Sequence, residues 1–214
     1  MNNAQKTCLY VFLIFAIIYL ATIPFQPYPG HFAIKAIPII SLAVLALTSV
    51  AGLRGKLLFA ALLLSAAGDV TLSLESGKYF VIGLAFFLIA HIVYLVTFSR
   101  DFHMQNSRIP IAATLVVYAT TMAFIMRPSL GDMALPVYCY LIVITTMGII
   151  AAFRVSKGKL VLYGALCFIA SDSMIALNKF VIPVPASDYL VMITYYLAQS
   201  LIVYGYLKER QPES

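Results

Sequence analysis

The sequence predicts an all-α integral membrane protein of eight transmembrane helices, one membrane-embedded domain over residues 1–214. Three observations carry that fold class. Hydrophobic residues make up 63% of the chain and charged residues only 10%, and the mean hydropathy is +0.98, far from a soluble domain. Eight apolar runs approach the roughly 20 residues that cross hydrocarbon as a helix, without the alternation a membrane β-barrel needs. The 14 Lys and Arg residues alternate from loop to loop instead of forming a patch.

The runs are 8–24, 33–52, 57–75, 79–99, 109–126, 135–153, 160–177 and 188–207. The first follows Lys6 as a signal peptide would, but it is long and no small-residue cleavage motif follows it, so it reads as a retained helix. The second opens at Lys35, and Pro38 one turn later loosens the backbone at a cavity mouth. The third carries Asp69 in LLLSAAGDVTLSL, and the fourth carries His91. The fifth and sixth read as packing segments. The seventh carries Asp172 in ALCFIASDSMIAL and ends at Asn178; the eighth holds Tyr195, Tyr196 and Gln199. Cys8, Cys139 and Cys167 are odd in number and scattered through apolar segments, which suits packing better than a disulfide or a metal knuckle.

Charge sets the expected orientation. Lys6, Arg54, Lys56, Arg100, Arg108, Arg154, Lys157, Lys159, Lys208 and Arg210 fall on one side, against Lys35, Lys78, Arg127 and Lys179 on the other. The positive-inside rule then places both termini in the cytoplasm. Because the basic residues are dispersed, no nucleic-acid partner is expected despite the net charge of +6.

Asp69 and Asp172 are the anomaly. A carboxylate at mid-membrane costs roughly 2.5–3.5 kcal/mol on insertion scales, so it turns toward a protein interior or wet cavity and marks function. The two halves of the chain also echo each other. Aligning Asp69 with Asp172 pairs Ala67 with Ala170, Gly68 with Ser171 and Leu72 with Ile175, while Ala90-His91 pairs with Ala198-Gln199. This reads either as a parallel four-plus-four pseudo-repeat or as the chance likeness of apolar helices.

Polar side chains cluster by helical spacing around the acids. Ser65, Asp69 and Ser73 form an i, i+4, i+8 stripe, Gly83, Phe87, His91 and Tyr94 a second, and Tyr195 with Gln199 a third, Tyr196 adjacent. Such stripes line a cavity, or serve as hydrogen-bonding glue between helices. Lys35 either snorkels to the interface, pairs with Asp69 or anchors a phosphate. His91 is either a satisfied core histidine or an orienting group. No metal or other cofactor is expected, since His31 and His103 lie in opposite loops and no ligand spacing occurs.

Two carboxyl groups close together in low dielectric share one proton, one serving as acid and the other as base. That equipment suits cleavage of an acetal-like or ether bond through an oxocarbenium ion. It equally suits a proton relay in a proton-coupled carrier.

At these residues the chain resembles the YhhN-like lysoplasmalogenases, multi-pass membrane enzymes. The likeness rests on LLLSAAGDVTL at 62–72, GLAFFLIAHIVYLVTF at 83–98, GALCFIASDSMIALNKF at 164–180 and TYYLAQSLIVYG at 194–205, with Lys35-Ala-Ile-Pro38 in the second helix. The resemblance implies hydrolysis of the vinyl ether of lysoplasmalogens to a fatty aldehyde and a glycerophospho-base, with a lysophospholipid as substrate. It also implies that Asp69 and Asp172 are catalytic. Lys35 would then hold the phosphate, and His91, Tyr94, Tyr195, Tyr196, Gln199, Ser65, Ser73 and Asn178 would line or orient the site. Compact loops suggest a bacterial plasma membrane.

Overall fold

The computed structural model describes residues 3–74, 77–156 and 158–209, the side chains at 77 and 78 excepted. Lys157 and Arg210 of the charge tally therefore lie outside the described residues, as do the side chain of Lys78 and the last residue of the 57–75 segment. Among the described residues eight α-helices follow in order: α1 Asn3–Thr22, α2 His31–Ser49, α3 Gly52–Leu72, α4 Gly77–Ser99, α5 Ile109–Met126, α6 Ala134–Ala152, α7 Leu160–Phe180 and α8 Ser187–Lys208. All eight are long and apolar enough to span a bilayer. Hydrocarbon offers no partner to a free N–H or C=O, so a chain of this composition satisfies its backbone within helices. An integral membrane protein results, with one isolated bridge, Phe102 to Arg154, outside the helices among the described residues.

The ends of several helices differ from the sequence reading. α3 starts at Gly52 instead of 57, so Arg54 and Lys56 belong to its first turns. α2 starts at His31, one turn before Lys35, which makes His31 helical and not a loop residue. α7 runs to Phe180, past Asn178. In each case polar or charged residues at the bilayer boundary continue the helix, because helix length is set by backbone bonding and not by the hydropathy that delimits the core. Pro38 does not interrupt α2, which is continuous across it.

Sequence-adjacent helices pack closely in the pairs α1–α2, α2–α3, α3–α4 and α7–α8, and α4 also packs on α6 and α2 on α8. Lipid gives little hydrophobic drive between helices, so small residues that admit close backbones decide these contacts. Gly164 of α7 faces α8 so closely that a Cβ there would lie 2.8 Å from the Ala198 carbonyl oxygen. Gly68 of α3 makes room for the Phe87 ring of α4, which a Cβ would meet at 2.6 Å. The aromatic core beside these contacts includes Phe87, Tyr94, Phe98, Phe168 and Tyr195, all buried. α5 is the least enclosed helix: Val117 and Phe124 lie bare on it.

The start of α3 and the end of α8 meet at one end of the bundle. There the side chains of four segments interlock. Arg154 donates to Asp101 at 3.1 Å and to Glu209 at 2.9 Å, and Asp101 also takes a hydrogen bond from Arg54. The Arg154 guanidinium lies 4.3 Å from the centroid of Tyr206. Burial alone would disfavour its charge; Tyr206, Glu209 and Asp101 outweigh that and hold its pKa above the ordinary arginine value. The sequence reading treated Arg54 and Arg154 only as topology markers.

Candidate active site

Both aspartates sit toward the end opposite the termini. Asp69 is in the last turn of α3 and Asp172 two turns before the end of α7. Asp69 is 2% exposed. Its Oδ1 lies 3.5 Å from the Lys35 ammonium of α2, and its Oδ2 accepts a 2.6 Å hydrogen bond from the Tyr195 hydroxyl of α8. Asp172 accepts a hydrogen bond from the Tyr140 hydroxyl of α6 on Oδ2, with His91 Nε2 of α4 at 3.8 Å from the same oxygen. The two acids are linked through their partners: the Phe87 ring centroid is 5.8 Å from that of Tyr195 and 6.5 Å from that of His91. Among the described residues they share no hydrogen bond with each other, and each has its own phenol from another helix.

Other residues named from the sequence divide into four groups. Lys35, Tyr195 and His91 reach the acids, as above. Tyr94 and Gln199 instead bond each other, one turn farther toward the termini, where the Tyr94 hydroxyl donates to Gln199 Oε1. Tyr196 donates to the Lys35 carbonyl at 3.0 Å and so steadies α2 where the lysine projects. The remaining three turn to backbone. The Ser65 hydroxyl donates to Ala61 O at 2.9 Å and Ser73 to Asp69 O at 2.8 Å. Asn178 Oδ1 accepts from Val184 N at 2.8 Å, bracing the α7–α8 loop. Helical polar spacing selects Ser65, but an i−4 backbone carbonyl satisfies its hydroxyl locally.

Tyr140 corrects the reading of the sixth helix as mere packing. Its hydroxyl is the nearest donor to Asp172, and its ring stands edge-on to His91 with centroids 5.3 Å apart. A tyrosine in an apolar run has no pattern that sets it apart, so only the α4–α6–α7 packing reveals it. His91 is fully buried between Phe87 and Phe168, and among the described residues neither ring nitrogen has a hydrogen-bond partner.

Two cavities share a wall beside the acids. A polar vestibule of about 630 Å³ opens at the end opposite the termini, lined by Lys35, Ser73, Asn178, Lys179 and Asp188 among others. Beside it a tight apolar slot of about 50 Å³ runs between α4, α6 and α7 from Phe80 and Phe180 to Asp172 and Tyr140. Leu72, Phe80 and Ile175 belong to both walls. A polar chamber and a greasy cleft divided by three side chains, with Asp172 on the cleft and Lys35, the partner of Asp69, on the chamber, can handle a molecule with a polar head and an apolar tail.

Comparison with known proteins places the chain. The model of the YhhN family matches residues 30–206, which spans α2 to α8 and both acids. The chain belongs to the YhhN family. It is similar to "Lysoplasmalogenase TMEM86A" of Homo sapiens, 34% identical over 72% of this chain and 67% of that one. It is also similar to "Lysoplasmalogenase" of Mycobacterium tuberculosis, 30% identical over 84% of this chain and 71% of that one. "Lysoplasmalogenase TMEM86B" of Homo sapiens is 31% identical over 85% and 77% respectively. No solved structure matches the chain. The YhhN assignment covers the helices that carry the site, α1 lying outside the matched residues.

Proposed function

We propose that this YhhN protein is a lysoplasmalogenase, hydrolysing the sn-1 vinyl ether of lysoplasmenylethanolamine or -choline to a fatty aldehyde and a glycerophospho-base. The observation that carries the reading is a pair of enclosed acids, Asp172 on an apolar slot and Asp69 paired with the Lys35 that lines a polar vestibule, in a chain whose relatives bear that name.

The roles follow from the partners. Asp69 faces an ammonium, the neighbour that suits a carboxylate, and serves as base. Asp172 faces a phenol, an imidazole and the apolar slot, and serves as acid. It gives its proton to the vinyl β-carbon, leaving an oxocarbenium ion whose charge Asp69 stabilises. Water adds to the α-carbon as Asp69 takes one of its protons. The hemiacetal then collapses: its hydroxyl proton returns to Asp172, the carbon–oxygen bond to glycerol breaks, and Asp69 protonates the departing oxygen. Water is consumed and both acids end as they began. The unpaired His91 nitrogens orient the water or the ether oxygen, and Tyr140 and Tyr195 hold the carboxyl groups in register.

Lys35 supports Asp69 in this scheme, the second of the roles open to it. The charge distribution supports a cytoplasmic location for both termini, so the vestibule faces the outer leaflet, most simply that of a bacterial plasma membrane. The four-plus-four repeat draws support from the partners: Lys35 on α2 and Tyr140 on α6 are corresponding helices' contributions to the two acids. A proton-coupled carrier uses the same acids, but its relatives' names speak for an enzyme.

The test is incubation of purified protein in detergent with a lysoplasmenyl lipid and, separately, its saturated alkyl-ether analogue. Aldehyde is expected from the first alone, because only the vinyl ether can be protonated at carbon, and no ion gradient is needed. Equal cleavage of both, or none of either, removes the proposal.

A further inference from the structure

Two charges in the vestibule play no part in that chemistry. Lys179 follows Asp172 by seven residues on α7, and Asp188 precedes Tyr195 by seven on α8. Seven residues are two turns, about 10 Å of rise, so each charge stands on the same helical face as its partner and about 10 Å farther out. Ile175 lines both cavities between Asp172 and Lys179, and Met192 lines the vestibule between Asp188 and Tyr195. One helix thus carries a cation above the acid, and its neighbour carries an anion above the tyrosine that holds the other acid. Lys35, the other lysine on the vestibule wall, is occupied by Asp69 at 3.5 Å. Lys179 rests its ammonium 4.1 Å from the centroid of Phe80, the ring that divides vestibule from slot. It is held over the boundary between head and tail.

We propose that Lys179 and Asp188 form a subsite for a zwitterionic phospho-amine headgroup, Lys179 taking the phosphate and Asp188 the ammonium, with the two-turn offset matching the reach across a glycerol backbone. The subsite rests on the hydrolase reading for its substrate and adds the specificity that reading lacks: the ammonium is a recognised group. Asp188 also lies in the first turn of α8, where a carboxylate favours the helix by its dipole. That role is blind to the headgroup, which separates the two.

The test compares three vinyl-ether substrates in detergent: those with phosphoethanolamine, phosphocholine and ammonium-free phosphoglycerol headgroups. Asp188→Asn is expected to raise KM roughly fivefold for the first two, the scale of one partly exposed ion pair, and to leave the third and all kcat values unchanged. Lys179→Gln is expected to raise KM for all three. An equal effect of Asp188→Asn on every substrate, or none on any, overturns the subsite while leaving the hydrolase standing. A second measurement is independent of turnover. Glycerophosphoethanolamine should raise the unfolding temperature of the unaltered protein more than glycerol 3-phosphate does, and Asp188→Asn should erase the difference. Absence of that preference in the unaltered protein also overturns the subsite, whether or not any aldehyde is formed.

Discussion

Asp69 and Asp172 differ in their company, and that difference decides what each substitution does. Asp69→Asn keeps the shape and the Tyr195 contact but leaves the Lys35 ammonium facing a neutral amide. Asp172→Asn keeps its place beside Tyr140 but has no acidic proton to give. Either change is expected to lower kcat by roughly 10²–10⁴-fold, the scale of a positioned acid or base, with the detergent-solubilised protein still monodisperse on size exclusion. Tyr140→Phe removes one hydrogen bond to a carboxyl group and leaves the ring against His91. A fall in kcat of roughly 10- to 100-fold with KM little changed is expected in steady-state assays, since hydrogen bonds to charged groups contribute about 1.5–3 kcal/mol. At this scale the two acids and His91 were legible from the sequence, because charge and imidazole stand out in apolar runs. Tyr140 was not, and neither were the different partners of the two acids, because both depend on which helix lies against which.

Helix against helix, the contacts that bring the acids together are made by the absence of side chains. Gly164 lets α7 approach α8, the helix that brings Tyr195 to Asp69. Its added Cβ in Gly164→Ala would press on the Ala198 backbone, which no rotamer change relieves. The expected cost is about 1–3 kcal/mol, read as a lower unfolding temperature, together with lost turnover as Tyr195 is carried away from Asp69. Gly68→Ala presses on the Phe87 ring, a side chain that can yield, so its cost falls at the low end of that range. Hydropathy located all eight helices, but it misjudged the start of α3 by five residues, because Arg54 and Lys56 are helical yet outside the apolar stretch. The polar stripes were a partial guide: Tyr195 on α8 reaches an acid, whereas Ser65 on α3 turns to its own backbone. Periodicity gives the face of a helix, not what the neighbouring helix presents to it.

For the molecule as a whole, orientation is the open expectation with the simplest check. In a background with Cys8, Cys139 and Cys167 replaced, Ser129→Cys and Ser107→Cys place single thiols near the two ends of α5, both exposed. Ser129→Cys is expected to react with a membrane-impermeant thiol reagent in intact cells, and Ser107→Cys only after permeabilisation. The reverse pattern would put the vestibule in the cytoplasm.

The cluster around Arg154 ties α3, the α4–α5 loop, the α6–α7 loop and the end of α8 together beneath the same bundle whose upper rim holds the two cavities. Strands of a broom bound at the handle spread only at the bristles. A slot of 50 Å³ is too small for an alkyl chain, so any lipid that reaches Asp172 must prise α4, α6 and α7 apart at the rim while the handle stays bound. Glu209→Gln removes one strap of the handle and is expected to lower the unfolding temperature of the detergent-solubilised protein while every side chain around Asp172 stays unaltered.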